Sequence, residues 1–455
     1  MLKGGEKQIM AQRLFGTDGV RGIANKDLTP ILAYNLGRAG AYVLSENSRR
    51  PTIVVGKDTR ISGDMLEAAL IAGICSVGAN VIKVGVVPTP TIAFLTRYFN
   101  ADAGVVISAS HNPMEYNGIK FFNKDGYKLP DSLEDQIELL IKDNDDRISN
   151  PIGAQLGKIQ REDGLSHYVE LIKSVTGISL KGLKIAADCA NGASYLVVPT
   201  VLRELGADVS VINNEPDGCN INVNCGSTHP EAISKFVKKI NADVGLAFDG
   251  DADRLIAIDE KGEEVDGDHI MAICGNHLNK SGKLKKSTVV ATVMSNMGLE
   301  VALKRQGIKM IRTKVGDRYV LEEILKGGYN FGGEQSGHII FHDHNTTGDG
   351  LLTAVNLLKV MVQEGKPLSE LKKIMTVYPQ VLINLKVKDK SKYNGNQRIE
   401  KAVKEVKQRF QDKGRIVVRP SGTEPLIRVM VEGENEKEIN ETAQQICEVI
   451  RQELA

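Results

Sequence analysis

Residues 52–60, TIVVGKDTR, begin a pattern that occurs three times in this 455-residue chain. In each copy an apolar run is followed by a stretch with helical periodicity and then by a second apolar run. The three copies begin at TIVVGKDTR (52–60), LKIAADCANG (183–192) and STVVATVMSN (287–296). Short β-rich runs that alternate with helices are typical of right-handed βαβ crossovers, which build a mainly parallel sheet covered by helices. The repeat therefore predicts three related α/β domains.

The predicted helix of each copy closes on a glycine, at Gly78, Gly206 and Gly307. Glycine is favoured there because a helix commonly ends on a left-handed residue. After the second apolar run of each copy, a further short strand leads into a loop of small and polar residues. In open α/β sheets, ligands bind at loops that follow the carboxyl ends of strands. We therefore expect three such loops to face one cleft.

The C-terminal part of the chain has a different pattern. From about residue 374 the order is strand, helix, strand, strand and helix, which predicts a small α+β domain with an antiparallel sheet. The predicted fold class is therefore α/β, with three similar domains of mainly parallel mixed sheets and a smaller C-terminal α+β domain around a central cleft. The predicted domains are residues 1–152, 153–253, 254–372 and 373–455.

Composition excludes several classes of partner. Lys+Arg 58 against Asp+Glu 57 leaves a net charge of +1, so no basic field exists to hold nucleic acid or an anionic membrane. The six cysteines form no C-x-x-C pair, which is typical of reduced thiols in the cytosol. The N-terminus lacks the apolar segment of a signal peptide, and no apolar run approaches the roughly 20 residues of a membrane span. We therefore expect a cytoplasmic protein without nucleic-acid or membrane partners; its oligomeric state stays open.

The loop of the first copy is GVVISASHNP, residues 104–113, in which Ser110 lies beside His111. Three β-branched residues lead directly into small polar ones, so the hydroxyl and the imidazole are expected at the end of a buried strand. This arrangement could present a nucleophile, or it could be an ordinary turn.

The loop of the second copy is DGDADR, residues 249–254, which follows the apolar run VGLAF. Three carboxylates at alternate positions make a hard-oxygen site that suits Mg²⁺. An EF-hand also begins D-x-D-x-D, but Arg254 stands where that motif needs a glycine. The spacing is also compatible with an aspartyl-phosphate nucleophile of the haloacid-dehalogenase type, at Asp249, and with a solvated acidic turn. The pattern favours metal binding.

The loop RPSGTEP, residues 419–425, lies between two predicted strands of the last domain. Arg419 offers a planar fork of donors, Ser421 and Thr423 offer hydroxyls, and the backbone around Gly422 offers N–H groups. These donors together predict a phosphate cradle. A hairpin turn, which needs only the glycine, would also fit this stretch.

The loop of the third copy is GEQSGH, residues 333–338, which combines a carboxylate, an amide, a hydroxyl and an imidazole. Such a mixture suits a polyol or an amino sugar, although a glycine-flanked turn would also have this composition. The stretch FGTDGVRG, residues 15–22, is glycine-rich with one cation, and His342-Asp-His344 is given no role. A serine, a metal loop and a phosphate pocket together indicate phosphoryl transfer.

The four motifs GVVISASHNP, DGDADR, GEQSGH and RPSGTEPLIRV, in this order, resemble the α-D-phosphohexomutases. The resemblance covers the whole chain and implies three related α/β domains and a smaller fourth around one cleft. It also implies that Ser110 carries a phosphoryl group. One Mg²⁺ per chain would be held by that phosphate and by Asp249, Asp251 and Asp253.

The same resemblance implies further roles. Arg254 would neutralise charge beside the metal, Lys120 and His111 would flank the reacting group, and His338 would be another acid/base candidate. Contacts to the sugar, the phosphates or the site lining are expected from Thr17, Arg21, Glu334, Gln335, Ser336, Arg419, Ser421, Gly422, Thr423 and Arg428.

Within this family, Gln335 and the stretches TKVGDRYV, CGSTHPE and NTTGDG resemble the phosphoglucosamine mutase branch. Asp317 stands where some hexose-specific relatives carry a histidine. The resemblance implies conversion of glucosamine 6-phosphate to glucosamine 1-phosphate through a hexose 1,6-bisphosphate, which is both intermediate and activator. The alternatives are a phosphomannomutase/phosphoglucomutase, a phosphatase with Asp249 as nucleophile, and a non-catalytic sensor of hexose phosphates.

Overall fold

The computed structural model describes residues 13–16, 18–45, 50–142, 148, 150–421 and 426–454. Thr17, Gly422 and Thr423, which the sequence places in the site, lie outside the described residues. None of the helices within these ranges combines the length and the apolarity that crossing a bilayer requires.

The first sheet has six strands in the order β1-β5-β4-β2-β3-β6. Its elements are β1 (Val20–Ile23), α1 (Pro30–Leu44), β2 (Thr52–Lys57), α2 (Ser62–Ser76), β3 (Asn80–Val86), α3 (Thr89–Tyr98), β4 (Ala103–Ile107), β5 (Tyr116–Asn123), α4 (Asp131–Lys142) and β6 (Ile159–Arg161).

The second sheet has five strands in the order β11-β10-β9-β7-β8. Its elements are α5 (Gly164–Thr176), β7 (Lys184–Asp188), α6 (Val197–Glu204), β8 (Asp208–Ile212), α7 (Glu231–Ile240), β9 (Val244–Phe248), β10 (Leu255–Asp259) and β11 (Glu264–Val265).

The third sheet has four strands in the order β13-β12-β14-β15. Its elements are α8 (Gly267–Lys280), β12 (Thr288–Thr292), α9 (Met297–Arg305), β13 (Lys309–Thr313), α10 (Asp317–Gly327), β14 (Phe331–Gly333), β15 (Ile339–Phe341), α11 (Gly350–Glu364) and α12 (Leu368–Leu371).

The fourth sheet has three antiparallel strands in the order β16-β18-β17. Its elements are β16 (Gln380–Lys386), α13 (Gln397–Phe410), β17 (Gly414–Pro420), β18 (Leu426–Gly433) and α14 (Glu436–Leu454).

The first three sheets share one topology. The first strand of each copy (β2, β7, β12) pairs in parallel with the second strand of that copy and with the strand that carries the polar loop. The next strand along the chain then pairs antiparallel with the loop-carrying strand. Gly78, Gly206 and Gly307 all have positive φ, as the helix-end pattern predicted. The predicted fold class is confirmed.

Two predicted domain boundaries fall inside sheets. β10 and β11 follow residue 253 but pair into the second sheet, and β6 follows residue 152 but pairs with β3 of the first. The acidic loop at 249–254 is therefore a turn between two antiparallel strands of one sheet, and a polar stretch there does not end a domain. We propose boundaries near residues 162 and 266 instead.

One hydrophobic core runs through the second and third sheets. It contains Tyr168 of α5, Leu246 of β9, Val289 of β12 and Leu352 of α11, all almost completely buried. The first and fourth sheets have separate cores of their own. Because burial of shared apolar surface resists separation, the second and third domains are expected to move as one body.

Candidate active site

Ser110 follows β4 and points its hydroxyl at the acidic loop of the second sheet. Its Oγ donates to Asp249 Oδ2 at 2.6 Å and lies 3.5 Å from His111 Nδ1. The residue is 1% exposed and has a φ of +52°, a left-handed conformation that is uncommon outside glycine. The first and second domains therefore meet at this hydroxyl.

Asp249, Asp251 and Asp253 follow β9 and converge. One carboxylate oxygen from each lies within 4.8 Å of the others, and all three side chains are buried. Asp251 Oδ1 and Asp253 Oδ1 have no hydrogen-bond partner among the described residues, although both atoms are buried. Buried carboxylate oxygens without a donor fit a bound cation, because such oxygens otherwise find a partner. The three residues therefore fit a Mg²⁺-like ion.

The electrostatics of these carboxylates differ. Burial, together with the charges of Asp253 and Asp251, raises the pKa of Asp249 well above its usual range. Burial alone would also raise the pKa of Asp251, but the charge of Lys120 and hydrogen bonds from Lys120 and Thr89 outweigh it and lower that pKa. The raised pKa of Asp249 reflects burial and repulsion among crowded carboxylates, and a cation bound between them would relieve this repulsion.

Lys120 lies on β5, opposite Val106 of β4, and is almost fully buried. Its Nζ lies 2.8 Å from Asp251 Oδ2 and 3.0 Å from Asp18 Oδ2. Burial alone would lower the pKa of Lys120, but the charges of Asp18 and Asp251 outweigh it and raise the pKa. The ammonium group therefore stays charged beside the three aspartates of the acidic loop.

A second lysine continues this network to the third domain. Lys128 Nζ lies 2.5 Å from Asp18 Oδ1 and 2.5 Å from Asp317 Oδ2. Asp317 Oδ2 lies in turn 3.5 Å from His338 Nε2. Asp18 also pairs with Arg21. Alternating charges thus link the first domain to the third across the site.

His338 connects these charged groups to the three aspartates of the acidic loop. Its Nδ1 lies 3.4 Å from Asp253 Oδ2, and its Nε2 accepts the N–H of Gly348 at 3.1 Å. Burial alone would lower the pKa of His338, but Asp253 and then Asp317 outweigh it and raise the pKa.

His111 has the opposite electrostatic environment. Burial, with the charges of Arg254 and Arg21, lowers its pKa to about 4. Its imidazole is therefore neutral at neutral pH. The two histidines that the sequence places in the site consequently differ in protonation behaviour.

The loop GEQSGH, residues 333–338, begins at the last residue of β14. Glu334 Oε1 accepts the N–H of Gly316 at 3.2 Å, and burial raises the pKa of Glu334. Gln335 Nε2 donates to Asp266 Oδ2 at 3.2 Å, which leaves its amide oxygen as an acceptor. Ser336 is exposed.

Arg254 lies between β9 and β10, where its backbone N–H donates to Asp249 Oδ1 at 3.2 Å and its Nε lies 3.8 Å from Asp253 Oδ1.

The fourth sheet carries the phosphate-loop candidates that the structure describes. Arg419 on β17 lies directly opposite Arg428 on β18, so both side chains leave the same face of the sheet. Burial and the charge of Arg428 lower the pKa of Arg419. Ser421, which directly follows β17, is buried.

Comparison with known proteins identifies the family. Models for α/β/α domains I, II and III and the C-terminal domain of phosphoglucomutase/phosphomannomutase match residues 12–148, 166–262, 266–378 and 382–449. A phosphoglucosamine mutase of Acetivibrio thermocellus is 61% identical over 446 residues, which cover 97% of this chain and 99% of that relative.

This chain belongs to the phosphohexomutase family. A second relative, the phosphoglucosamine mutase of Clostridium novyi, is 59% identical over 443 residues, which cover 97% of this chain and 99% of the relative. The predicted family and reaction class are confirmed, as is the resemblance to the phosphoglucosamine mutase branch.

Solved structures show the same phosphohexomutase fold. A phosphoglucomutase/phosphomannomutase family protein from Burkholderia thailandensis aligns with a TM-score of 0.81 at 24% identity, covering 97% of each chain. N-acetylphosphoglucosamine mutase of Aspergillus fumigatus, in complex with GlcNAc-6P and magnesium, aligns with a TM-score of 0.69 at 18% identity, covering 97% of this chain and 96% of that one.

Three residues of this candidate site were missed or given no role by the sequence reasoning. Asp18 lies within FGTDGVRG, and its position three residues before Arg21 was a usable signal. Thr89 donates to Asp251 Oδ2 at 2.6 Å, and Lys128 bridges two domains, but neither belongs to a local motif.

Proposed function

We propose that this protein interconverts glucosamine 6-phosphate and glucosamine 1-phosphate. The observation that carries the proposal is the Ser110 hydroxyl, 2.6 Å from Asp249 Oδ2 at the edge of three convergent buried carboxylates. A serine placed against a metal-type site suits reversible phosphoryl transfer, in which positioning and charge neutralisation supply most of the catalysis. The relatives at about 60% identity bear the name phosphoglucosamine mutase, which supports the choice of sugar.

In the proposed reaction Ser110 carries the phosphoryl group. Its Oγ–P bond breaks as the C1 hydroxyl of glucosamine 6-phosphate forms a bond to phosphorus and gives its proton to a side chain of the site. Ser110 Oγ takes up a proton as it leaves, and the resulting 1,6-bisphosphate turns end for end. Its O6–P bond then breaks as Ser110 Oγ loses that proton and bonds to the 6-phosphorus, and O6 takes up a proton to give glucosamine 1-phosphate. His111, Lys120 and His338 are the candidate acid/base groups.

The acidic loop at residues 249–254 would hold the cation that neutralises charge during this transfer. Asp249, Asp251 and Asp253 would hold the Mg²⁺, which when bound stabilises charge on the phosphoryl oxygens. The Aspergillus fumigatus relative, whose complex contains magnesium, supports this choice of ion. Arg254, whose buried Nε has no hydrogen-bond partner among the described residues, would supply a second positive charge.

The paired arginines of the fourth sheet would bind the phosphate that is not being transferred. Like charges directly opposite each other on neighbouring strands are destabilising, and an anion between them would offset this repulsion. Because the bisphosphate turns end for end in the site, this arginine pair would bind the phosphate at either end of the sugar.

Replacing Arg419 by alanine is expected to weaken binding of glucose 1,6-bisphosphate by about ten- to a hundredfold. Charge-assisted hydrogen bonds worth about 1.5–3 kcal/mol are lost. Isothermal titration calorimetry measures the change, with Arg451→Ala on the exposed face of α14 as the control. Unchanged binding in Arg419→Ala would exclude Arg419 from the clamp.

The glucosamine preference is expected to depend on acceptors in the loop after β14. The protonated C2 amine offers only donors, and the amide oxygen of Gln335 or the carboxylate of Glu334 can accept one. Gln335→Met should therefore lower kcat/KM for glucosamine 1-phosphate about tenfold or more relative to glucose 1-phosphate. Gln363→Met, the same substitution at an exposed position of α11, is the control. An unchanged ratio in Gln335→Met would locate the preference elsewhere.

A coupled assay with glucosamine, mannose and glucose 1-phosphates tests the proposal as a whole. A preference for mannose or glucose phosphate would favour the phosphomannomutase/phosphoglucomutase alternative. Absence of turnover with all three, in protein that still binds hexose phosphate, would favour a sensor of hexose phosphates. The cytoplasmic location stays a prediction.

A further inference from the structure

The loop that carries Ser110 has a conformation that the chain alone does not favour. The φ of Ser110 is +52°, and a non-glycine residue needs support from its surroundings to stay in this region. Four carbonyl groups of residues 110–116 accept hydrogen bonds from one buried side chain, that of Arg60. The source of the support is therefore outside the loop.

Arg60 lies in the turn after β2, and its side chain is completely buried. Its Nη2 donates to the carbonyl oxygens of Ser110 at 2.9 Å and Asn112 at 2.8 Å. Its Nη1 donates to those of Pro113 at 2.5 Å and Tyr116 at 3.2 Å. A planar guanidinium can bind four acceptors at fixed angles, which a lysine ammonium cannot do.

Asp58 stabilises the same loop through the backbone N–H of Ser110. Its Oδ2 accepts from Arg60 Nε at 2.9 Å and from Ser108 Oγ at 2.6 Å. Ser108 Oγ accepts in turn from the N–H of Ser110 at 3.0 Å. The N–H and the carbonyl of Ser110 are thus both held by a network that ends on Asp58 and Arg60.

The second domain contributes one further contact to this loop. Asn222 Nδ2 donates to the carbonyl oxygens of Ser110 at 2.8 Å and Asn112 at 3.2 Å. Gly250, inside the metal-type loop, packs so closely that a Cβ there would lie 2.6 Å from the Ser110 carbonyl oxygen. The backbone of Ser110 is therefore positioned relative to both domains.

We propose that Arg60 is a positioning residue for phosphoryl transfer: its guanidinium holds the backbone of residues 110–116 so that Ser110 Oγ stays against Asp249. This rests on the proposed function, in which Ser110 carries the phosphoryl group. The N–H groups of the Arg60 guanidinium are directed at these four carbonyl oxygens and at Asp58, so its loss misplaces the reacting oxygen without removing a substrate contact. Small displacements of reacting groups reduce turnover strongly.

The test is Arg60→Lys, which keeps the positive charge beside Asp58 but cannot span four carbonyl groups. We expect kcat for glucosamine 1-phosphate to fall about a hundredfold while KM changes less than about threefold. Hydrogen exchange at the Ser110 amide, followed by mass spectrometry of the peptide containing residues 104–118, should become faster. Arg38→Lys is the matched control, because Arg38 in the same domain donates to the Ile148 carbonyl oxygen away from the site.

Asn222→Ala keeps the test decisive if Arg60→Lys folds poorly. It removes a donor to the Ser110 carbonyl from the second domain and should lower kcat less than Arg60→Lys does, again with little change in KM. Unchanged kcat in a folded Arg60→Lys protein would overturn the positioning role. If Arg60→Lys instead loses thermal stability, an unchanged kcat in Asn222→Ala would overturn it.

Ser110→Ala in the same assay separates the positioning role from the proposed function on which it rests. Full activity of Ser110→Ala would overturn the proposed function and the positioning role together. An inactive Ser110→Ala beside a fully active Arg60→Lys would overturn the positioning role alone.

Discussion

Replacing Ser110 by alanine is expected to reduce turnover of glucosamine 1-phosphate by about 10⁴-fold or more, as removal of a covalent nucleophile does. The substitution removes the hydroxyl that donates to Asp249 but leaves the backbone contacts from Arg60 and Asn222 in place. Serine and alanine both carry a Cβ, so the strain of a φ of +52° is similar for the two residues and the same backbone contacts hold it. Thermal unfolding should therefore change little, and a coupled assay measures the loss of activity.

Mass spectrometry identifies the phosphorylated residue independently of turnover. Wild-type protein incubated with glucose 1,6-bisphosphate should gain the mass of one phosphate, and peptide mapping should locate it on Ser110. Ser174→Ala, at an exposed serine of α5, is the control and should keep both activity and phosphate. Phosphate found on Asp249 instead would favour a phosphatase with that residue as nucleophile.

Removal of divalent metal is expected to lower activity by about 10³-fold or more, because the ion supplies several kcal/mol of charge stabilisation in the transition state. Added MgCl₂ should restore the activity. Asp251→Asn should weaken metal binding, since it removes one of three carboxylates whose ligand atoms converge within 4.8 Å. The wild-type midpoint of thermal unfolding should rise with MgCl₂, and this rise should be smaller in Asp251→Asn.

Asp208→Asn, at an exposed aspartate that begins β8, controls for the loss of one negative charge. It should keep both the activity and the response of the unfolding midpoint to MgCl₂. Activity that resists EDTA in wild type, together with a normal response of Asp251→Asn to MgCl₂, would exclude a metal at this loop.

Local patterns in the sequence predicted the repeated architecture. The three copies have apolar runs and helical periodicity within about 40 residues, and each helix closes on a glycine that has a positive φ in the structure. These features depend on neighbours along the chain, so they can be recognised without knowing what packs against them. The order of the loops after β4, β9 and β14 follows from the same local signals.

The sequence did not reveal that the acidic loop is a turn within one sheet. Residues 249–254 are polar and interrupt two apolar runs, which locally resembles the end of a domain. The antiparallel pairing of β10 with β9 keeps the chain in the second sheet. Strand pairing is a tertiary property here, because it depends on where the whole sheet lies and not on the composition of the loop.

By itself, the sequence determined the α/β fold class, the family and the candidate Ser110, the three aspartates and the sugar and phosphate loops. Only the tertiary structure decided that Lys128 joins Asp18 to Asp317, which lies 189 positions further along the chain than Lys128. It also decided that Arg60 reaches the loop of Ser110, 50 positions away. Neither contact has a local pattern, because a buried charge is stabilised by partners that only the packing of sheets and domains brings within hydrogen-bond distance.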